Sequence, residues 1–575
     1  MPHRPWIAHY VPGTSPEIPP IPYKHLPDLV RHVAQQFGPR TAFTQCMPNA
    51  MDASLTYRQS DELSDHFAAY LREVVGLKAG DRVAVQLPNC LTYPVVAFGT
   101  LKAGCILVNT NPLYTEKEMT HQFSDAGARA LVILDMFADR LPAVLPKTKI
   151  DTVVLVSIAE FFSPVKKTLI KTVLKYVRKE IPRATIAHTT IGAALKAGAA
   201  AAAKAKVPGY VAGTGLDDPA ALQYTGGTTG VSKGAVLTHR NLLANTMQLE
   251  EVSKHFLKTG EETVLTALPF YHIFALTVNL LLFWKIGGHN VMVPSPRPIT
   301  NLQKVWPKYP ITWFTGVNTL FNALLNEEWF RADPPKKLVT SLAGGMALQS
   351  AVAARWKEAT GTPVVEGYGL TETSPVATFN PIGGMVKDGS IGVPLPSTDI
   401  KLIDETGVEV GLDEPGELLV KGPQVMPGYW QRPDETAKVI DADGWLRTGD
   451  IAAMDSDGYF RIVDRKKDMV LVSGFNVYPN EVEAVIAELP EVAEVGVIGV
   501  PDEKTGEAVK AVVVKKNPAL TADDIIRHCR EQLTAYKVPR HVEFRAELPK
   551  TNVGKILRKD LRTPVPAAEP EKAGV

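Results

Sequence analysis

From residue 82 to residue 156 the chain alternates short apolar runs with stretches of helical spacing. The runs 82–87, 105–109, 130–134 and 152–156 are rich in Val, Ile and Leu and too short for helices, so they predict strands. Residues 93–101 and 116–125 predict helices between them. Strands that alternate with helices make βαβ crossovers, which need a parallel sheet covered on both faces. The pattern resumes after Leu237, where Thr238 stands ready to open a helix. Further on the texture changes. Strand-like 459–463 and 469–472 flank a charged stretch, 464–468, and beyond it helix 480–489, strands 492–500 and 507–514, and helix 522–533 predict a small α+β domain. The expected fold class is α/β, with a large N-terminal domain of several subdomains built on parallel or mixed sheets. No internal repeat interrupts this order.

Two segments depart from the pattern. Between Glu262 and Lys285 there is no charged residue, but Pro269, His272, Thr277 and Asn279 break the run. Its solidly apolar part, 273–284, is shorter than the ~20 residues a spanning helix needs, so a buried strand, turn and helix are predicted. In 161–183, Val165, Leu169, Val173, Val177 and Ile181 recur every fourth residue, with Lys166, Lys167, Lys171, Lys175, Arg178 and Lys179 around them. This is a basic amphipathic helix with two placements open. It lies on an anionic membrane surface, or it docks on its own domain and leaves a lysine face in water. The Ala-rich 192–205 predicts a helical or loose connector.

A chain of 575 residues outgrows one core, since cores stop growing at roughly 250–300 residues, so two to four domains are expected. Lys and Arg number 62 against 61 Asp and Glu, which excludes the basic excess of a dedicated nucleic-acid binder. Cys46, Cys90, Cys105 and Cys529 form no Cys-x-x-Cys pair and no metal spacing, and predict free thiols in a reducing compartment. The Pro-rich residues 1–28 hold no continuous apolar stretch and so no secretory signal.

The chemistry is densest at Tyr224-Thr-Gly-Gly-Thr-Thr-Gly-Val-Ser-Lys-Gly-Ala235. Gly226, Gly227, Gly230 and Gly234 let backbone N–H groups approach an anion, while Thr225, Thr228, Thr229 and Ser232 add hydroxyls and Lys233 a charge. The spacing is not that of a Walker loop, because Val231 stands where its second glycine belongs and Gly234 follows the lysine. A glycine-rich surface turn is the plainer alternative.

Four further motifs follow in order: Gly367-Tyr-Gly-Leu-Thr-Glu372, Thr448-Gly-Asp450, Asp464-Arg-Lys-Lys-Asp468 and Pro549-Lys-Thr-Asn-Val-Gly-Lys555. With the loop, they resemble the acyl-adenylate-forming, AMP-binding enzymes, which include acyl-CoA synthetases, luciferases and the adenylation domains of peptide synthetases. The likeness covers roughly residues 25–563. The stretch from Asp443 through Ser473-Gly-Phe-Asn-Val-Tyr-Pro479 looks like the signature stretch of fatty-acyl-CoA synthetases, and the whole is similar to the bacterial long-chain-fatty-acid–CoA ligases.

The resemblance implies a large domain over 1–464, a hinge at 465–468 and a small mobile domain over 469–575. It implies ATP-dependent ligation of a fatty acid to coenzyme A through an acyl-adenylate. Glu372 would hold Mg2+ and Thr225 would serve the metal–phosphate cluster. Gly226, Gly227, Thr228, Thr229, Gly230, Lys233 and Thr371 would bind phosphate. Gly345, Glu366 and Gly367 would line the nucleotide pocket, and Asp450 and Arg465 would take the ribose. Lys555 would stabilise charge between carboxylate and α-phosphate, Lys467 would sit at the hinge, and Gly474 would leave room for the pantetheine arm of CoA. His272 would position the acyl carboxylate. Taken alone, these residues also read as a surface glutamate, a turn aspartate, a solvated lysine and a core histidine. The small and apolar stretches 316–325 and 341–346 suit an acyl tunnel or plain core packing.

The partners implied are a fatty acid, ATP and CoA, with no nucleic acid. The location implied is cytoplasmic, with an anionic membrane surface at the inner face of the cell membrane as a peripheral partner. A homodimer is left open. The competing readings are an aryl- or medium-chain acid–CoA ligase, an enzyme that hands acyl-AMP to a carrier protein, and a non-catalytic acyl-binding protein. The last predicts decay at Glu372, Asp450, Arg465 or Lys555, and all four stand.

Overall fold

The computed structural model describes residues 4–225, 232–550 and 556–562. Contacts divide the chain into two units. The first runs to Ile400 and takes in Val420–Leu446 and Asp457–Tyr459.

Among its described residues the first unit holds two large sheets. In the eight-stranded one, Ile106–Asn109, Arg82–Gln86, Ala130–Leu134 and Thr152–Val156 lie side by side and parallel. Val83, Ala84, Leu131, Val132 and Ile133 are buried, as near-continuous apolar strands between two helical layers must be. The covering helix Thr92–Lys102 is buried along its whole length. Its one charge, Lys102, meets Asp61 at 2.5 Å and Asp65 at 2.9 Å, the pairing a buried ammonium requires.

The nine-stranded sheet carries Thr263–Thr266, Trp313–Gly316, Thr340–Ala343 and Val364–Gly369 as parallel neighbours. Thr263–Thr266 has the next strand, His289–Met292, on one side and the one after, Trp313–Gly316, on the other. The strand order reverses there. In α/β sheets ligands gather outside the carboxyl ends of strands at such a point.

The stretch between Glu262 and Lys285 is a strand, a loop and helical turns Ala275–Leu281 and Leu282–Lys285, buried through Trp284. No helix among the described residues is long and apolar enough to cross a membrane. The basic helix is shorter than expected. It spans Pro164–Thr172 and Val173–Val177, opened by Pro164 and ended by Lys179 in the left-handed region at φ 56°. The Ala-rich stretch is a helix, Ile191–Ala202, whose cap Thr190 accepts from the N–H of Ala193.

The second unit comprises Lys401–Leu419, Arg447–Ser456 and the chain from Phe460 onward. A four-stranded sheet orders Asp399–Ile403, Gly416–Lys421, Leu446–Met454 and Phe460–Arg465. A second sheet orders Phe475–Val477, Val470–Val472, Gly506–Lys515 and Val492–Asp502, with His541–Phe544 paired to Gly506–Lys515. Helices Pro479–Ala487 and Ala522–Gln532 cover it through Val482, Ile486, Ile525 and Cys529, which pack on Val497, Val509 and Val513. This is the predicted α+β arrangement. All four cysteines are free and buried.

Candidate active site

The phosphate-type loop springs from an antiparallel pair, Pro219–Thr225 and Lys233–Thr238, in which Thr225 faces Lys233. Gly226, Gly227, Thr228, Thr229 and Gly230 lie outside the described residues. At the root, Ser232 Oγ donates to the Thr225 carbonyl at 2.5 Å, and Tyr224 donates its hydroxyl to Asp125 at 2.7 Å.

Two residues missed in the sequence complete this root. Tyr429 pairs with Ala235 at the edge of the same sheet. Its ring centre lies 5.1 Å from Lys233 Nζ, and its hydroxyl donates to Glu372 Oε1 at 2.8 Å. Glu435 forms an ion pair with Lys233, which, with Lys438, holds its carboxyl down to about 2. Lys233 and Glu372 thus both meet one tyrosine, the ammonium over its ring and the carboxylate at its hydroxyl. The Glu372 carbonyl also accepts from Met426 N–H at 2.9 Å. Thr371 lies beside Glu372 in the short turn Thr371–Thr373, tied by Leu370 N–H to Thr373 Oγ1 at 2.9 Å. Burial, then the Glu372 carboxylate, push the Tyr429 phenol well up, so it is a donor at any working pH.

The other predicted residues of this unit stand at the carboxyl ends of the neighbouring parallel strands. His272 follows Thr263–Thr266, Gly345 follows Thr340–Ala343, and Glu366 and Gly367 lie within Val364–Gly369. A Cβ on Gly367 would come within 2.9 Å of the Phe379 ring, which explains the glycine by close approach. The His272 loop is pinned by Asn89, whose amide donates to the carbonyls of Thr266 and Leu268 at 3.1 and 2.9 Å and accepts from Phe270 N–H at 2.8 Å. Burial pushes His272 down to about 4, so the ring is neutral near pH 7. Its Nδ1 accepts from Phe274 N–H at 3.3 Å, which leaves the ring proton on Nε2 as a donor. Of the stretch 316–325, Phe321, Leu324 and Leu325 are core, and Phe321 lies edge-on to Trp356 at 4.8 Å.

Glu366 accepts from Leu348 N–H at 3.2 Å, and burial pushes its carboxyl up to about 7. The folded state therefore holds this proton more tightly than the unfolded chain does. Stability on this account falls as pH rises from the ordinary carboxylate range through about 7 and levels off above it. Glu366→Gln, uncharged throughout, should raise the melting temperature at about pH 8 but not at about pH 5. The gain is on the order of 2 kcal/mol once partial exposure is allowed for. Equal offsets at both pH values would show that the carboxyl is not perturbed.

In the second unit, Asp450 and Arg465 are cross-strand partners, with Arg465 Nε 3.2 Å from Asp450 Oδ1. Asp450 is 4% exposed, and its N–H donates to Thr448 Oγ1 at 3.1 Å. Lys466 pairs with Glu417, whereas Lys467 is exposed. Ser473 and Gly474 form a two-residue hairpin turn at φ 53° and 85°, and the space where a Gly474 Cβ would sit is empty. Lys555 lies outside the described residues. Just after it, Arg558 gathers Asp464 at 3.1 Å, Asp468 at 3.4 Å and Glu483 at 2.8 Å. The signal for Arg558 was its place three residues beyond Lys555, but its partners are distant in sequence.

The AMP-binding enzyme family model matches residues 30–430, and the model of the AMP-binding enzyme C-terminal domain matches residues 481–555. A long-chain-fatty-acid–CoA ligase of Salmonella typhimurium is 50% identical over 97% of both chains. One of Haemophilus influenzae is 45% identical over 98% of this chain and 99% of its own. The solved structure of an anthranilate CoA ligase in complex with anthranoyl-AMP superposes with a TM-score of 0.81 at 25% identity, covering 95% of this chain and 97% of that one. A match of this extent, on a chain with a glycine-rich loop rooted beside Lys233 and Glu372, makes this protein a member of the AMP-binding enzyme family.

Proposed function

We propose that this chain joins a long-chain fatty acid to coenzyme A in two steps. In the first, a carboxylate oxygen attacks the α-phosphorus of ATP, and the bond to the departing pyrophosphate breaks. In the second, the CoA sulfur attacks the acyl carbonyl, AMP leaves, and the thiol proton passes to solvent.

The observation that carries this reading is the Lys233–Tyr429–Glu372 chain at the root of the loop. It sets a cation for phosphate beside a carboxylate for a metal, within one unit of a family that adenylates acids. Lys233 would exchange Glu435 for phosphate oxygens. Glu372 and the Thr225 hydroxyl offer the hard oxygen atoms that Mg2+ prefers. Among the described residues no three His, Cys, Asp or Glu side chains gather as a ready-made metal site, so the remaining ligands would come from phosphate and water. Once bound, Mg2+ would neutralise phosphate charge as pyrophosphate departs.

His272 Nε2–H would orient the acyl carboxylate without adding charge. Gly345, Glu366 and Gly367 would bound the base, and Asp450 with Arg465 would hold the ribose hydroxyls. Lys467 would mark the hinge, with Lys555 serving the first step and the Gly474 turn the second. The fatty substrate dissolves in membranes, and attachment to an anionic membrane surface is part of the proposal. Palmitate-driven AMP release should exceed cinnamate-driven release by at least about tenfold, since each methylene buried is worth ~0.8 kcal/mol. Preference for cinnamate-type acids would overturn the substrate assignment.

A further inference from the structure

The helix Pro164–Val177 carries its apolar side chains on the wrong side for a soluble domain. Ile170 is 6% exposed and Leu174 packs against the main core, so these two face inward. Yet Val165 is 79%, Leu169 54%, Tyr176 68% and Val177 72% exposed. At 3.6 residues per turn Val165 and Leu169 fall within about 40° of one another on the α-helix Pro164–Thr172, and Tyr176 stands exposed in the wider π-helical turn Val173–Val177 that continues it, forming a strip on the side away from Ile170 and Leu174. Exposed Lys175 lies along one edge of the strip and exposed Lys179 just past the helix end, and neither forms an ion pair among the described residues. Arg178 lies 3.8 Å from Glu180, the only acidic residue in 161–183. Lys166 and Lys167, on the inner flank, are taken up by Asp52 and Glu160. The basic residues toward the body act on its carboxylates, Lys166 on Asp52, Lys167 on Glu160 and Lys171 on Asp135, whereas Lys175 and Lys179 have no acidic partner among the described residues.

We infer that this helix is the part of the protein that enters an anionic bilayer surface, with Val165, Leu169 and Tyr176 in the acyl boundary and Lys175 and Lys179 at the headgroups. The inference rests on the membrane attachment proposed above and names its contact surface. Charge complementarity selects the occupant. A strip of apolar side chains edged by cations matches a surface that is apolar within and anionic at its face. Phe162, 5% exposed, and Ile170 anchor the helix to the body, so the strip is presented on a fixed scaffold.

The test is co-sedimentation of the full chain with vesicles of equal parts phosphatidylcholine and phosphatidylglycerol, and with phosphatidylcholine alone. The parent should bind the anionic vesicles and bind the neutral ones weakly. Val165→Ser with Leu169→Ser and Tyr176→Ser should cut binding at least about tenfold, and the loss should persist at high salt. Lys175→Gln with Lys179→Gln should cut it several-fold at low salt only. The lysine set also serves as the control if the apolar set melts early. A parent that ignores anionic vesicles, or parent-like binding by both sets, would overturn the inference. AMP release on a water-soluble medium-chain acid, without vesicles, should be unchanged in both sets. That assay reports the ligase reading separately, so failure of one is distinguishable from failure of the other.

Discussion

Lys555→Ala is expected to slow acyl-adenylate formation on the order of 100- to 1,000-fold, the usual cost of removing one group that stabilises developing charge. Thioester formation from supplied acyl-AMP should stay within a few-fold of the parent. The reason is where charge appears. In the first step a carboxylate and a phosphate, both anionic, must share a pentavalent centre, and an ammonium there lowers the barrier directly. In the second, a sulfur attacks a neutral carbonyl and AMP departs, so that ammonium has far less to do. Lys550 pairs with Ile556, and Leu557 N–H donates to the Pro549 carbonyl at 2.8 Å. The two rates would be measured separately, as acid-dependent ATP–pyrophosphate exchange and as CoA-dependent consumption of acyl-AMP. Equal loss of both would contradict a lysine that serves one step.

The second large effect is expected at Arg558. Its guanidinium answers Asp464, which is fully buried, together with Asp468 and Glu483. Burial raises Asp464 and Glu483 above the usual carboxylate range, and Arg558 is the cation that opposes this. Arg558→Met would leave Asp464 and Glu483 with backbone N–H donors but no cation, which typically costs about 3–5 kcal/mol. Because Asp464 and Asp468 bound the proposed hinge, the same variant should blur the separation of the two half-reactions. Arg558→Lys should restore only part of the loss, since one ammonium cannot reach three carboxylates as a planar fork does. Thermal unfolding of the full chain would measure this, and a loss below about 1 kcal/mol would show that the cluster is relieved by water.

What the chain revealed in advance follows from how locally each feature is written. Strands Ala130–Leu134 and Thr152–Val156 were readable to the residue, because burial on both faces leaves a plain apolar run. The opening of helix His239–Ser253 was readable because Thr238 caps it through Asn241. The loop was visible from composition alone. Its companions were not. Glu435 meets Lys233 across 202 positions, and nothing near either residue announces the other. Tyr429 reads as an ordinary aromatic in a short edge strand until its hydroxyl is seen on Glu372. Asn89, which pins the His272 loop, is 177 positions from the first carbonyl it holds. The basic helix is shorter than its pattern predicts, because the every-fourth-residue spacing runs on through Ile181 while the backbone ends the helix at Val177. Its periodicity could not say which face turns inward. The packing of Ile170 and Leu174 decides that.

The products made from palmitate test two-step ligation most directly. With ATP and Mg2+ but no CoA, the protein should form palmitoyl-AMP and pyrophosphate. On addition of CoA, that intermediate should disappear into palmitoyl-CoA, with AMP released in equal amount. Release of ADP and phosphate in place of AMP and pyrophosphate, or thioester made without passage through palmitoyl-AMP, would contradict it.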